Sequence, residues 1–159
     1  MRIFKLAIIG IILLFLAAFA ISLLIPSYIR ISKAINLHAE KDSVWSIVRN
    51  RNRWPEWHPA FMDDVQRFPP IKTSVLHQDD SLFILKLEQD NKRPVINGWQ
   101  LFNSSQDSLT LQWYMDFKIG WLPWQKLGSL FFENTYGVMM QEGLTNIKRK
   151  EEKQQAISY

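Results

Sequence analysis

The chain has 159 residues, a net charge of +4, seven Trp, ten Phe and no Cys. Without cysteine there is no disulfide, no thiolate metal ligand and no thiol nucleophile. The mild basicity suits an anionic membrane surface as well as a nucleic acid. No recognition helix or RNP-like motif accompanies it, so nucleic acid is not expected as a partner.

Residues 6–25 run for twenty positions without a charge, behind the short basic start Met1-Arg-Ile-Phe-Lys5. A helix of that length spans about 30 Å, the thickness of a bilayer's hydrocarbon core. Pro26 stops it, so residues 1–26 are expected to form a single transmembrane anchor. Ala18-Phe19-Ala20 also fits a signal-cleavage site, and secretion after cleavage is the alternative. The apolar run continues past that site through Ile21, Leu23, Leu24 and Ile25, which favours an uncleaved anchor. Arg2 and Lys5 before the span, against Arg30 and Lys33 after it, lean toward a single-pass membrane protein with its domain on the extracytoplasmic side.

Residues 27–150 suffice for one domain of common size, and 151–159 read as a polar, frayed tail. Ile29, Ile31, Ile35 and Leu37 alternate with polar or small residues, the period of a strand with one buried face. Lys33 interrupts the apolar phase and is expected at a strand end or edge. Residues 39–48 read as a short helix with Val44, Trp45 and Val48 on one face and Asp42 or Ser43 as its cap. Arg49, Arg51 and Arg53 form a solvated connector or a contact to anionic lipid headgroups. Trp54 and Trp57 share a side within one helical turn, while Pro59 keeps His58 out of a helix. Residues 63–70 fit an irregular strand. Four strand-like runs follow, at 71–78, 82–88, 94–103 and 109–118, and the turns joining them are short enough to make neighbours antiparallel.

Residues 121–148 read as one helix. Pro123 suits its first turn, and Leu127, Leu130, Phe131, Val138, Met140, Leu144 and Ile147 recur as an apolar stripe. Gly137 and Gly143 each cost a helix about 1 kcal/mol relative to Ala, so each is expected to have a packing or cavity reason. The expected class is α+β: a curved antiparallel sheet wrapped around a long C-terminal helix, with any ligand between the two.

Three stretches carry a family resemblance. Residues 39–45 followed by Trp54-Pro-Glu-Trp-His-Pro59 resemble the "apxxxVw" helix and "W..W.P" turn that open START-like (Bet v1-like) domains, nearest to the SRPBCC or polyketide cyclase/dehydrase group. Gly143-Leu144 and Ile147-Lys148 resemble the "GLxxLK" signature of the group's last helix. Gly120-Trp121-Leu122-Pro123 resembles its lead-in. The likeness covers about residues 28–150, and many bacterial members also begin with one hydrophobic anchor. Residues 63–103 depart from the pattern, being short with a single glycine, Gly98, as if one or two strands were abbreviated. The resemblance implies a helix-grip fold and a cavity for lipids, sterols, polyketides or other apolar molecules. It implies no catalytic set.

The candidate chemistry is sparse. His38, His58 and His77 lack metal-ligand spacing, so no metal or cofactor is expected. His58, Asp116 and Glu142 are candidates for an acid or base, Glu142 on condition that it faces a cavity. There is no G-x-S-x-G, phosphate loop or H-E-x-x-H. Trp99, Trp113, Met115, Phe117, Leu130, Phe131, Val138 and Met140 either line an apolar pocket or fill a core. Three readings follow: a membrane-anchored domain that binds a hydrophobic small molecule or lipid, a cyclase/dehydratase-type enzyme, and a non-catalytic envelope interaction protein with a filled core. Oligomeric state is left open.

Overall fold

The computed structural model describes residues 2–62, 71–105 and 108–157. Helix α1 (Arg2–Leu23) leads into β1 (Tyr28–Leu37) and α2 (Lys41–Val48). Two 3-10 turns follow, Arg51–Glu56 and Pro59–Phe61. Next come β2 (Lys72–Gln78), β3 (Leu82–Glu88), β4 (Val95–Ser105) and β5 (Ser108–Lys118). The chain closes with α3 (Pro123–Ser129), a π-helical turn (Glu133–Gly137) and α4 (Val138–Ile157). The expected strand at 63–70, and part of the joint before β5, lie outside the described residues.

The five strands form one antiparallel sheet in the order β1-β5-β4-β3-β2. Because side chains alternate across a strand, the pairing places residues on its concave face in cross-strand rows. One row is Lys33, Trp113, Trp99 and Phe83. The next is Ile31, Met115, Asn97 and Leu85. The last, nearest α1, is Ile29, Phe117, Val95 and Leu87. We call the α1 end of the sheet proximal and the β2–β3 turn end distal. On the convex face Arg30 pairs with Asp116 through two 2.6 Å hydrogen bonds and stacks over Tyr114. The Tyr114 phenol occupies the space a side chain at Gly98 would need.

The helix-grip architecture agrees with the sequence reading, but three local expectations, the single long helix, the frayed tail and the α2 cap, do not survive. Residues 121–148 are not one helix: α3 ends at Ser129, and the π turn intervenes before α4. Residues 151–157 are helical rather than frayed, with Glu151 buried and accepting two hydrogen bonds from the Ser43 hydroxyl. Ser43 is thereby taken from the α2 cap, where Glu40 stands without a side-chain bond. Lys33 does lie on an edge strand, β1, as expected; it sits mid-strand on the concave phase, its ammonium held 2.5 Å from Glu133 on the π turn. The three arginines are spent on the domain itself. Arg49 stacks on Trp45 and donates to the Asp79 carbonyl at the distal end, away from the anchor. Arg51 donates to Thr73 and Ile71, and Arg53 to Ser46 and Glu56.

Both suspect glycines have packing reasons. A Cβ at Gly143 would stand 2.9 Å from the Trp113 ring and 3.3 Å from Pro59, so glycine lets α4 close onto the indoles. A Cβ at Gly137 would crowd the Lys33–Glu133 pair.

Candidate functional site

The Trp54–Trp57 segment builds the first wall. Its 3-10 turn buries both indoles, with ring centres 6.4 Å apart. Extended φ and ψ at His58, imposed by Pro59, turn that ring inward. His58 is buried among Trp54, Trp57, Phe61 and Trp113, at ring-centre distances of 4.8 to 5.7 Å. Its Nδ1 accepts a hydrogen bond from the Ala60 N–H. Burial pushes its pKa down to about 3, so the ring is neutral at neutral pH. With Nδ1 engaged as an acceptor, the proton resides on Nε2. The ring can then donate a hydrogen bond but has no free lone pair to act as a base.

Trp99 and Trp113 stack 5.5 Å apart, and Phe83 stacks on Trp99. The Trp113 indole N–H donates to Asn97 Oδ1 at 3.0 Å. Leu144, Ile147 and Met140 close this layer from α4, all fully buried. The distal half of the interior is therefore packed solid.

The proximal half is not. A cavity of about 510 Å³ lies between the Met115–Asn97 and Val95–Leu87 positions of the sheet, the His58–Phe61 segment, and Thr135, Tyr136 and Met139 of the helix. Its charged residues, Glu88, Lys92 and Arg93, come from the β3–β4 end and turn. That size fits a drug-sized apolar ligand. A second hollow of about 540 Å³ adjoins it across Val95 and Tyr136, and is lined also by Phe117, Lys118, Trp124, Gly128 and Phe132.

Of the eight residues expected to line a ligand pocket, Met115 alone borders the main cavity. Phe117 borders the second hollow, in contact with Phe132 and Tyr136. Trp99, Trp113 and Met140 are core. Leu130, Phe131 and Val138 face out. Leu130 and Phe131 fall in the break after α3, and Val138 stands about 200° around the helix from Met140. Glu142 is exposed beside a polar surface depression, not the cavity, and Asp116 is on the convex face. Neither can act on a ligand held inside. His38 is exposed, and His77 bonds Asp79 at the surface. Sequence reasoning missed Phe61, Val95, Tyr136 and Met139. Val95 was findable by extending the register of the last strand to its neighbour. Tyr136 was hidden by the π turn.

Neither a family model nor a curated relative matches this chain. Solved structures do. A START superfamily protein from Mycobacterium smegmatis superposes with a TM-score of 0.56 at 15% identity, over 78% of this chain and 97% of its own. The di-domain aromatase/cyclase StfQ of the steffimycin biosynthetic pathway gives 0.60 at 11% identity over 81% of this chain. This chain spans 52% of the StfQ chain. A hypothetical protein from Helicobacter pylori gives 0.58 at 10% identity, over 77% of this chain and 88% of its own.

The fold is START-like. At these identities the likeness carries architecture alone. The START-like domain here keeps the concave sheet and the C-terminal helix, and its cavity lies where those two diverge.

Proposed function

We propose that this is a membrane-anchored START-like domain that binds a hydrophobic small molecule or lipid between sheet and C-terminal helix. The observation that carries the reading is the cavity of about 510 Å³, walled by Phe61, Leu87, Val95, Met115 and Met139. Apolar walls with a few polar groups at one end favour an apolar body with one polar handle. Helix α1, 22 residues long and free of charge from Leu6 onward, with only Ser22 buried, is long enough to cross a bilayer. The orientation proposed is the one the flanking charges favour, with the domain on the extracytoplasmic side.

The test is native mass spectrometry of the full chain released from nanodiscs, beside Met139→Trp. An added mass carried by the wild type and lost from the variant supports the reading. A bare chain, or the same mass on both proteins, removes it.

An enzymatic reading has one observation in its favour: His58 borders the cavity with its proton on Nε2. Such a ring can polarise a substrate carbonyl, but the carboxylate that borders the cavity with it, Glu88, is exposed and ion-paired with Lys86. Turnover of the retained molecule by wild type and not by His58→Phe would move this reading to the front. The hollow itself weighs against a filled-core interaction protein.

A further inference from the structure

The proximal end of the domain gathers features beyond those of the main cavity. Helix α1 ends there, and Ile119 N–H bonds the Ser27 carbonyl to join the start of β1 to the end of β5. Helix α3 packs on the end of α1, and its buried Lys126 donates to the Ile25 carbonyl at 2.7 Å. Its buried side is Pro123, Lys126 and Ser129. The opposite side carries Trp124 and Gly128, with Phe131 in the turn just after the helix and Trp121 just before it. Trp121 is 71% exposed, Trp124 60% and Phe131 66%. Large aromatics left bare beside an apolar span are what the bilayer interface accommodates.

The second hollow opens beside this stripe, and Trp124 and Gly128 belong to its lining. That lining also holds Lys118 and, shared with the main cavity, Lys92 and Arg93, with no carboxylate among the described residues. Lys118 stands over Tyr28, the first residue of β1. Three cations and an aromatic rim, held at the level where α1 leaves its span, complement an anionic headgroup with its acyl chains below.

We propose that α3 lies in the bilayer surface and that the hollow behind it binds the headgroup of an anionic phospholipid. This rests on the anchoring of α1 but not on the main cavity being a binding site. The absence of native cysteine makes single-site labelling of the full chain clean.

Spin labels at Trp124→Cys, Phe131→Cys, Leu14→Cys and, as a distal control, Asn103→Cys are read in nanodiscs of phosphatidylcholine with one-quarter phosphatidylglycerol. The labels at 124 and 131 are expected to be accessible to lipid-dissolved oxygen and shielded from an aqueous nickel complex, with the opposite at 103. A water-exposed pair with Leu14→Cys in lipid overturns the surface proposal and leaves the anchor standing. Aqueous Leu14→Cys overturns both. Labels at 124 and 131 shielded from oxygen and nickel alike point to a second copy and overturn the proposal.

The headgroup site is read separately, as phosphatidylglycerol enrichment in lipids retained by the protein. Enrichment of severalfold over the bulk ratio is expected, returning to the bulk ratio in Lys118→Glu. Lys118 lines this hollow and not the main cavity, so retention of the cavity ligand should be untouched by that change. Enrichment that is absent, or unchanged in Lys118→Glu, overturns the headgroup site.

Discussion

Two halves of one interior, built on the same five strands and closed by the same helix, reach opposite ends. In the distal half the cross-strand row is Trp113, Trp99 and Phe83, and α4 is drawn against it by Gly143. In the proximal half the rows hold Met115 beside Asn97 and Phe117 beside Val95, and the helix is interrupted by the π turn. Indoles fill what aliphatic chains leave open. This cavity is thus a local shortage of side-chain volume rather than a separate architectural part, and it opens where the buried indoles stop.

The comparison can be broken most forcefully from the filled side. Trp113→Ala removes a stacked, hydrogen-bonded indole from a site with little room to collapse, and about 3–5 kcal/mol of stability should go with it. Urea unfolding of the full chain in mild detergent measures this, and a loss under 1 kcal/mol would mean that the layer is not packed as described.

His58 links the two halves and gives an effect of about 2 kcal/mol. Its folded pKa of about 3 lies below the ordinary value of 6.5. Below 6.5 the unfolded chain takes up a proton that the folded one refuses, so stability is full above that pH and falls as the pH drops toward 3. Between pH 7.5 and 5 the loss should be about 2 kcal/mol. His58→Phe should flatten that slope, and an equally steep slope in the variant would place the titrating group elsewhere.

Gly143→Val sharpens the contrast at the closed end. Its side chain meets the Trp113 ring and Pro59, and overpacking should cost about 1–3 kcal/mol. Met139→Trp adds volume at the open end, where the cavity receives it. Its stability should stay within about 1 kcal/mol of wild type while ligand retention is lost. Equal destabilisation by the two changes would erase the distinction between the halves. The smallest effect belongs to Asp116→Asn. That pair with Arg30 is convex and partly exposed, so stability should fall by under about 1 kcal/mol and retention should not change.

Period-two alternation located β1 and β5 closely, because each turns its apolar residues to one face of the sheet. The Trp54–Pro59 turn was legible from its prolines. The long helix was misread because apolar residues on both sides of a break can be threaded on one stripe when no break is known. Nothing in Leu130-Phe131-Phe132 announces that the first two face outward and the third faces the sheet. Lys33 was placed at an edge, and β1 is one, but its partner Glu133 arrives from a hundred residues away and no local pattern announces it. The aromatic residues were recognised as interior, but volume left unfilled is a property of the assembled rows and has no residue of its own to mark it.

The bond from Lys126 to the Ile25 carbonyl reaches beyond local packing. It places a cation supplied by the domain just beyond the end of α1, on the Ile25 carbonyl, where the last turn of the helix itself has none. It also removes the universal joint that a flexible linker would provide. With α1 in a bilayer, as proposed, the domain would be a fixed bracket rather than a ball on a string. It would hold one azimuth and one height, meet first the molecules that diffuse past it within the leaflet, and turn to a new neighbour when the whole chain turns.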